Sequence, residues 1–175
     1  MKKLTLIAIV GALMMISSFA SAQTATGALT VTATVNGSIS LVFNSDASGV
    51  ALTGAGSNVA TLAFGNVSAY GALGAGVSRA VGASNFTVSS PFDVLVSKSN
   101  SASANYTLKA QLNAADATNA WQVGGVAVTN AAQSTVTATG AYGSNVPFSL
   151  ALTIPFATAS GTNISNAVNF TATAN

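Results

Sequence analysis

Leu29, Val31, Ala33, Val35, Gly37, Ile39, Leu41 and Phe43 all fall on odd positions, and Thr30, Thr32, Thr34, Ser38 and Ser40 stand between them. A period of two places one set on each face of an extended strand, whereas a helix would scatter both sets around its surface. Between Gln23 and Asn44 there is also no charge. A free sheet edge of this kind is an aggregation hazard, which natural sheets blunt with charged side chains. The segment therefore calls for a sheet partner, either inside its own domain or on another chain by β-strand addition.

Asn36-Gly37 invites a two-residue hairpin turn. That turn would set Val35 against Ser38 and Ala33 against Ser40, one strand's apolar face beside the other's serines, so the register rejects it. A three-residue loop over 36–38 would pair Val35 with Ile39 and Ala33 with Leu41. The other solution is that the segment does not fold back and its two halves serve different places.

Alternation recurs to the end of the chain. Val59 to Phe64 reads as a weaker strand and Gly71 to Gly76 as a loop. Phe86 and Val88, then Phe92, Val94 and Val96, are all even and predict one strand bent at Pro91, which lacks a ladder donor. Tyr106, Leu108, Ala110 and Leu112 alternate with Asn105, Thr107, Lys109 and Gln111. Between Trp121 and Val128 a turn at Gly124-Gly125 pairs Val123 with Val126 and Trp121 with Val128. Thr135 to Thr139, Phe148 to Phe156 closed by Pro155, and a last strand through Ile164, Val168, Phe170 and Ala172 complete the set. Seven or eight short strands at this spacing predict an all-β sandwich with Greek-key connections.

Lys2 and Lys3, the apolar run Leu4 to Met15, and Ala20-Ser21-Ala22 have the order of a secretory signal: a basic start, an apolar stretch and a small-x-small cleavage site. The expected division is a signal peptide over 1–22, an N-terminal extension over 23–37 and a β-sandwich domain over 38–175. Export is the expected fate. After the signal no apolar run reaches the length of a membrane-crossing helix, so no transmembrane segment is expected.

Past the signal the charges are Arg79, Lys98 and Lys109 against Asp46, Asp93 and Asp116, and His, Cys, Met and Glu are all missing. Metal sites built on imidazole or thiolate and His-based acid–base catalysis are thereby excluded, and no cofactor is expected. Three scattered cations do not neutralise a row of phosphates, which argues against nucleic-acid binding. A chain this poor in charge has little mutual repulsion between copies, which favours an assembly.

The remaining candidates for chemistry are weak. In Ser97-Lys98-Ser99, strand neighbours point to opposite faces, so Lys98 does not serve either serine as a base. Asp46 within residues 44–49 is a single carboxylate, too little charge for a hard cation, and reads as a turn. Gly71 to Gly76 lacks the helix and Lys of a phosphate-cradling loop. No enzyme activity is expected. Trp121, Tyr106, Tyr142 and Tyr70 leave a second reading, a monomeric secreted adhesin or carbohydrate-binding module whose rings stack on sugars, although Trp121 faces Val128 in the expected hairpin.

The order of these features resembles the chaperone-usher pilus subunits and the related spore-coat-U-like secreted domains. The likeness rests on five stretches: residues 34–37 before the strand of Ile39, Leu41 and Phe43; residues 62–67; Phe86 to Val88 leading into Phe92 to Val96; residues 154–159; and residues 167–172. Two departures stand out, since those subunits often carry a disulfide and an aromatic near the terminus, and this chain has neither a Cys nor an aromatic after Phe170.

The resemblance implies an immunoglobulin-like (pilin-like) β-sandwich that lacks one strand and is completed by the N-terminal strand of the next subunit. Carried onto this chain, the donor strand is residues 28–35, with Leu29, Val31, Ala33 and Val35 as pocket fillers. The acceptor groove lies between Ile39, Leu41 and Phe43 on one side and Val168, Phe170 and Ala172 on the other. The implied function is a structural subunit of a bacterial extracellular surface fibre, exported through the periplasm. Its implied partners are further copies of itself, a periplasmic chaperone and an outer-membrane usher. Head-to-tail donation does not close on itself, so a filament follows.

Overall fold

The computed structural model describes residues 27–175; the expected signal and the start of the extension lie outside them. The chain divides between Thr34 and Val35 into two units. In the first, residues 27–34 carry no strand, and Leu29 and Val31 are 89% and 80% exposed.

The second unit is all-β, with nine strands among the described residues: β1 (Ser38–Ser45), β2 (Ser78–Val81), β3 (Asn85–Ser99), β4 (Tyr106–Leu112), β5 (Ala120–Val123), β6 (Val126–Val128), β7 (Ser134–Gly140), β8 (Asn145–Pro155) and β9 (Val168–Ala174). They form two antiparallel sheets. One has the order β1-β3-β8-β5-β6 with β2 also on β3, and the other β7-β4-β9. The two inner faces make the β-sandwich core: Val88, Val94, Val96, Trp121, Val123, Val128, Leu152 and Ile154 from the first, and Tyr106, Leu108, Ala110 and Leu112 from the second. In β3 and β4 the expected alternation appears residue by residue, with every even position buried except at the tail of β3.

β3 is a single strand of 15 residues with Pro91 near its middle. On one side it pairs β8 from Asn85 to Leu95; on the other, β2 reaches only Ser89 and β1 starts at Phe92. Pro91 falls in the gap. The backbone of Phe43 in β1 is bonded on the side away from β3, so Phe43 and Val94 form a non-hydrogen-bonded pair and the odd residues of β3 point their backbone groups toward the gap side. The missing N–H of Pro91 therefore removes no ladder bond. A loop fills the gap so closely that a Cβ on Gly49 would come within 2.1 Å of the Pro91 carbonyl oxygen. Beside it, the buried hydroxyl of Ser90 accepts a hydrogen bond of 2.8 Å from the Val50 amide, which satisfies a polar side chain at an inward position.

The turn at Gly124-Gly125 forms as expected, both glycines at positive φ, with Trp121 opposite Val128 and Val123 opposite Val126. β1 pairs β3 along its whole length, and residues 35–37 carry no strand. Two expectations are corrected. Residues 59–64 form no strand: Thr61 makes one isolated bridge, with Thr53, while Leu62 and Phe64 still turn toward the core. Ile164 lies ahead of β9 rather than within it, and β2, a short and largely exposed edge piece, was not anticipated.

Candidate interaction groove

β1 and β9 each end a sheet. Among the described residues β9 pairs only β4, and β1 pairs only β3 apart from a bridge at Phe43. Between the two edges lies a groove of about 680 Å³ lined by residues 39–43 of β1, Val168, Asn169 and Phe170 of β9, and Ser57 and Asn58. Ile39, Leu41, Phe43, Val168 and Phe170 thus line one site, while Ala172 packs on the core beyond it. All six side chains are only partly buried, although each points to the inner face.

The backbone at these edges has a definite parity. The Asn175 amide donates to the Asn105 carbonyl at 3.0 Å and the Asn113 amide to the Ala167 carbonyl at 2.8 Å, so the odd residues of β9 and its flanks face β4. Val168, Phe170 and Ala172 then direct their N–H and C=O groups to the open edge. In β1 the Phe43 amide donates to the Ser57 carbonyl at 2.8 Å and its carbonyl accepts from the Gly56 amide at 2.7 Å, so the odd residues there face the open edge. On both edges the residues whose side chains point inward are those whose backbone groups are turned to the groove. A strand lying in it would pair with them and direct its own alternate side chains into the core.

At the base of the groove Phe43, Phe92 and Phe170 form a cluster, with Phe43 and Phe170 edge to face at 5.2 Å and Phe92 6.0 Å from Phe170. Past Phe43 and Asn58 the space continues as a larger cleft of about 1100 Å³ between residues 58–67 and 160–170, floored by Phe92, Trp121, Leu152 and Ile154. Leu62, Phe64 and Ile164 line this part, and sequence reasoning did not assign them to the groove. They come from loops, where alternation gives no warning of a shared site.

The residues tested for chemistry have structural partners. Lys98 donates to the Ser103 carbonyl, and its ammonium stands 5.0 Å from the Tyr142 ring centre. Asp46 accepts from the Ser48 hydroxyl at 2.6 Å and the Ser48 amide at 2.7 Å, a local turn, and these bonds lower its pKa. Arg79 donates from one guanidinium nitrogen to the Ser68 and Gly71 carbonyls at 2.7 and 2.8 Å, pinning the glycine-rich loop. Asp93 lies on the outer face, where the loss of solvent and then the charge of Asp46 raise its pKa. Among the described residues no three His, Cys, Asp or Glu side chains gather, and no helix is long and apolar enough to cross a membrane.

Of the four aromatics weighed for sugar stacking, Trp121 and Tyr106 are buried. The Trp121 indole N–H donates to Asp116 at 2.8 Å, and Tyr142 packs on Tyr106 beneath Lys98. Tyr70 alone presents an open ring, 80% exposed. Comparison of the chain with protein-family models, with curated proteins and with solved structures gave no match.

Proposed function

We propose that this protein is an exported, non-enzymatic subunit of an extracellular fibre, in which residues 28–35 of one copy complete the sandwich of the next. The observation that carries the reading is the groove between two sheet edges whose inward-facing apolar residues turn their backbone groups toward it. The same chain holds a segment suited to that groove, uncharged and alternating, with Leu29, Val31, Ala33 and Val35 on one face. Burying four such side chains contributes roughly 4–8 kcal/mol before ordering costs.

The strand order supports the immunoglobulin-like form of this reading. That architecture sets its first, second, fifth and fourth strands in one sheet and its third, sixth and seventh in the other. β1-β3-β8-β5 follows the first order and β4-β9 the start of the second, with the seventh position, beside β9, empty among the described strands. That position is the groove. A copy that donates at one end and accepts at the other generates an open filament rather than a closed ring. The monomeric binding module has less to work with, because two of its four candidate rings are buried.

Deleting residues 23–35 tests the reading. The truncated protein should give the same β-type circular dichroism and no filaments by negative-stain electron microscopy. Filaments from that protein would overturn it.

A further inference from the structure

Residues 53–61 form a small flap. Its base is the bridge between Thr53 and Thr61, whose amides donate to each other's carbonyls at 3.0 and 2.8 Å. At its turn the Ser57 hydroxyl contacts the Gly54 and Val59 carbonyls at 2.8 and 2.6 Å and accepts from the Val59 amide at 3.2 Å. The tip then closes on β1: Ser57 accepts from the Phe43 amide and Gly56 donates to the Phe43 carbonyl. Beyond these two bonds the flap touches the open edge of β1 at no other backbone position.

The flap stands at a junction. Phe43 and Asn58 line both the groove between β1 and β9 and the cleft beyond it. The stretch from Ile39 to Phe43 spans about 13 Å of extended chain, whereas residues 28–35 span about 23 Å. A strand of that length is longer than the stretch from Ile39 to Phe43, and at the Phe43 end the flap already holds the backbone groups that the strand would use.

Resting on the proposal that a second copy's N-terminal strand fills the groove, we infer that residues 53–61 are a gate which the incoming strand displaces from Phe43. The flap is a competitor in cis. Its two bonds to β1 are exchanged for bonds to the donor, and the roomy cleft behind it takes the rest of the strand. The gate delays entry and thereby limits premature pairing of an apolar edge.

The experiment uses the full chain and a fluorescent peptide spanning residues 23–37, with uptake followed by anisotropy and assembly by light scattering. Ser57→Ala removes the bonds that hold the turn together and leaves the core untouched; a loss of about 1 kcal/mol from the closed flap corresponds to uptake about fivefold faster. A Thr53→Cys/Thr61→Cys pair closes the flap's base with a disulfide in a chain that has no other Cys, and it should slow uptake until reductant restores the original rate. Peptide binding with the same rate in the parent, in S57A and in both redox states of the double variant overturns the gate and leaves the fibre reading standing. No binding of the peptide to any of these proteins, together with filaments that survive deletion of residues 23–35, overturns both.

Discussion

The two flanks of the sandwich are finished differently. At the β5–β6 flank the tight hairpin folds over the core, Trp121 and Val128 face each other, and the one polar atom of Trp121 is bound by Asp116. Asp116 is held in turn by the Asn119 and Thr118 amides at 2.9 and 3.1 Å. At the β1–β9 flank, side chains of the same kind point the same way, yet they stay partly exposed, and among the described residues two backbone edges have no partner along most of their length. β6 and β7 end their sheets just as β1 and β9 do, so burial is what distinguishes the flanks: Trp121 and Val128 are buried, whereas Phe43 and Phe170 are only partly so.

The comparison predicts unequal responses to truncation. Leu108→Ala at the sealed centre should lower stability by about 3–5 kcal/mol, and Phe170→Ala by roughly half that, because its ring is already partly in water. Urea denaturation of unassembled protein measures both. Equal losses would erase the distinction between the sealed centre and the open flank. Filament yield should show the reverse order among variants that remain folded, with Phe170→Ala the more damaging.

Asp116→Ala sharpens the same contrast. It strands the buried indole N–H of Trp121 and should cost about 1–3 kcal/mol, with a shift in tryptophan fluorescence. Tyr106→Phe should change stability by less than about 1 kcal/mol and toward greater stability, since the Tyr106 hydroxyl is buried without a hydrogen-bond partner. Burial, with a further contribution from Tyr142, raises the pKa of that phenol and keeps it neutral.

The smallest effects are in acid. Burial works against the charged form of Asp116, but hydrogen bonds from Asn119, Trp121 and Thr118 outweigh it and lower its pKa. Its contribution to stability is therefore present above the unfolded value near 3.8 and is lost as pH falls through the folded one. Asp93 has the opposite sign. Its pKa is raised, so its contribution is present below the unfolded value and is lost as pH rises through the folded one. Both carboxyls are largely solvated, and each effect stays under about 1 kcal/mol. Thermal melts between about pH 3 and 5 should show Asp116→Asn flattening the loss in acid and Asp93→Asn flattening the opposing slope.

Much of the sandwich was legible because a half-buried strand writes its two faces into the sequence. β3, β4, β8 and the hairpin at Gly124-Gly125 follow directly from alternation and turn chemistry. Residues 59–64 were misread for a related reason: Leu62 and Phe64 alternate because they cover the core, but alternation reports which side chains pack and not whether the backbone has a ladder partner. β2 escaped notice because four residues with one half-buried side chain leave no period to detect. Of the groove, the residues on β1 and β9 were readable, and the sealing Asp116–Trp121 bond was not, since it depends on a loop closing over five residues. The flap was invisible for the same cause: two backbone bonds to Phe43 carry no side-chain signature.

Amide hydrogen exchange on β9, read in separated monomer and in filament, tests the central claim most directly. Strand donation predicts that the amides of Val168, Phe170 and Ala172, turned to the open edge, exchange quickly in the monomer and become strongly protected in the filament, while those of Asn169 and Thr171, bonded to β4, change little. Filaments in which Val168, Phe170 and Ala172 exchange as fast as in the monomer would contradict it.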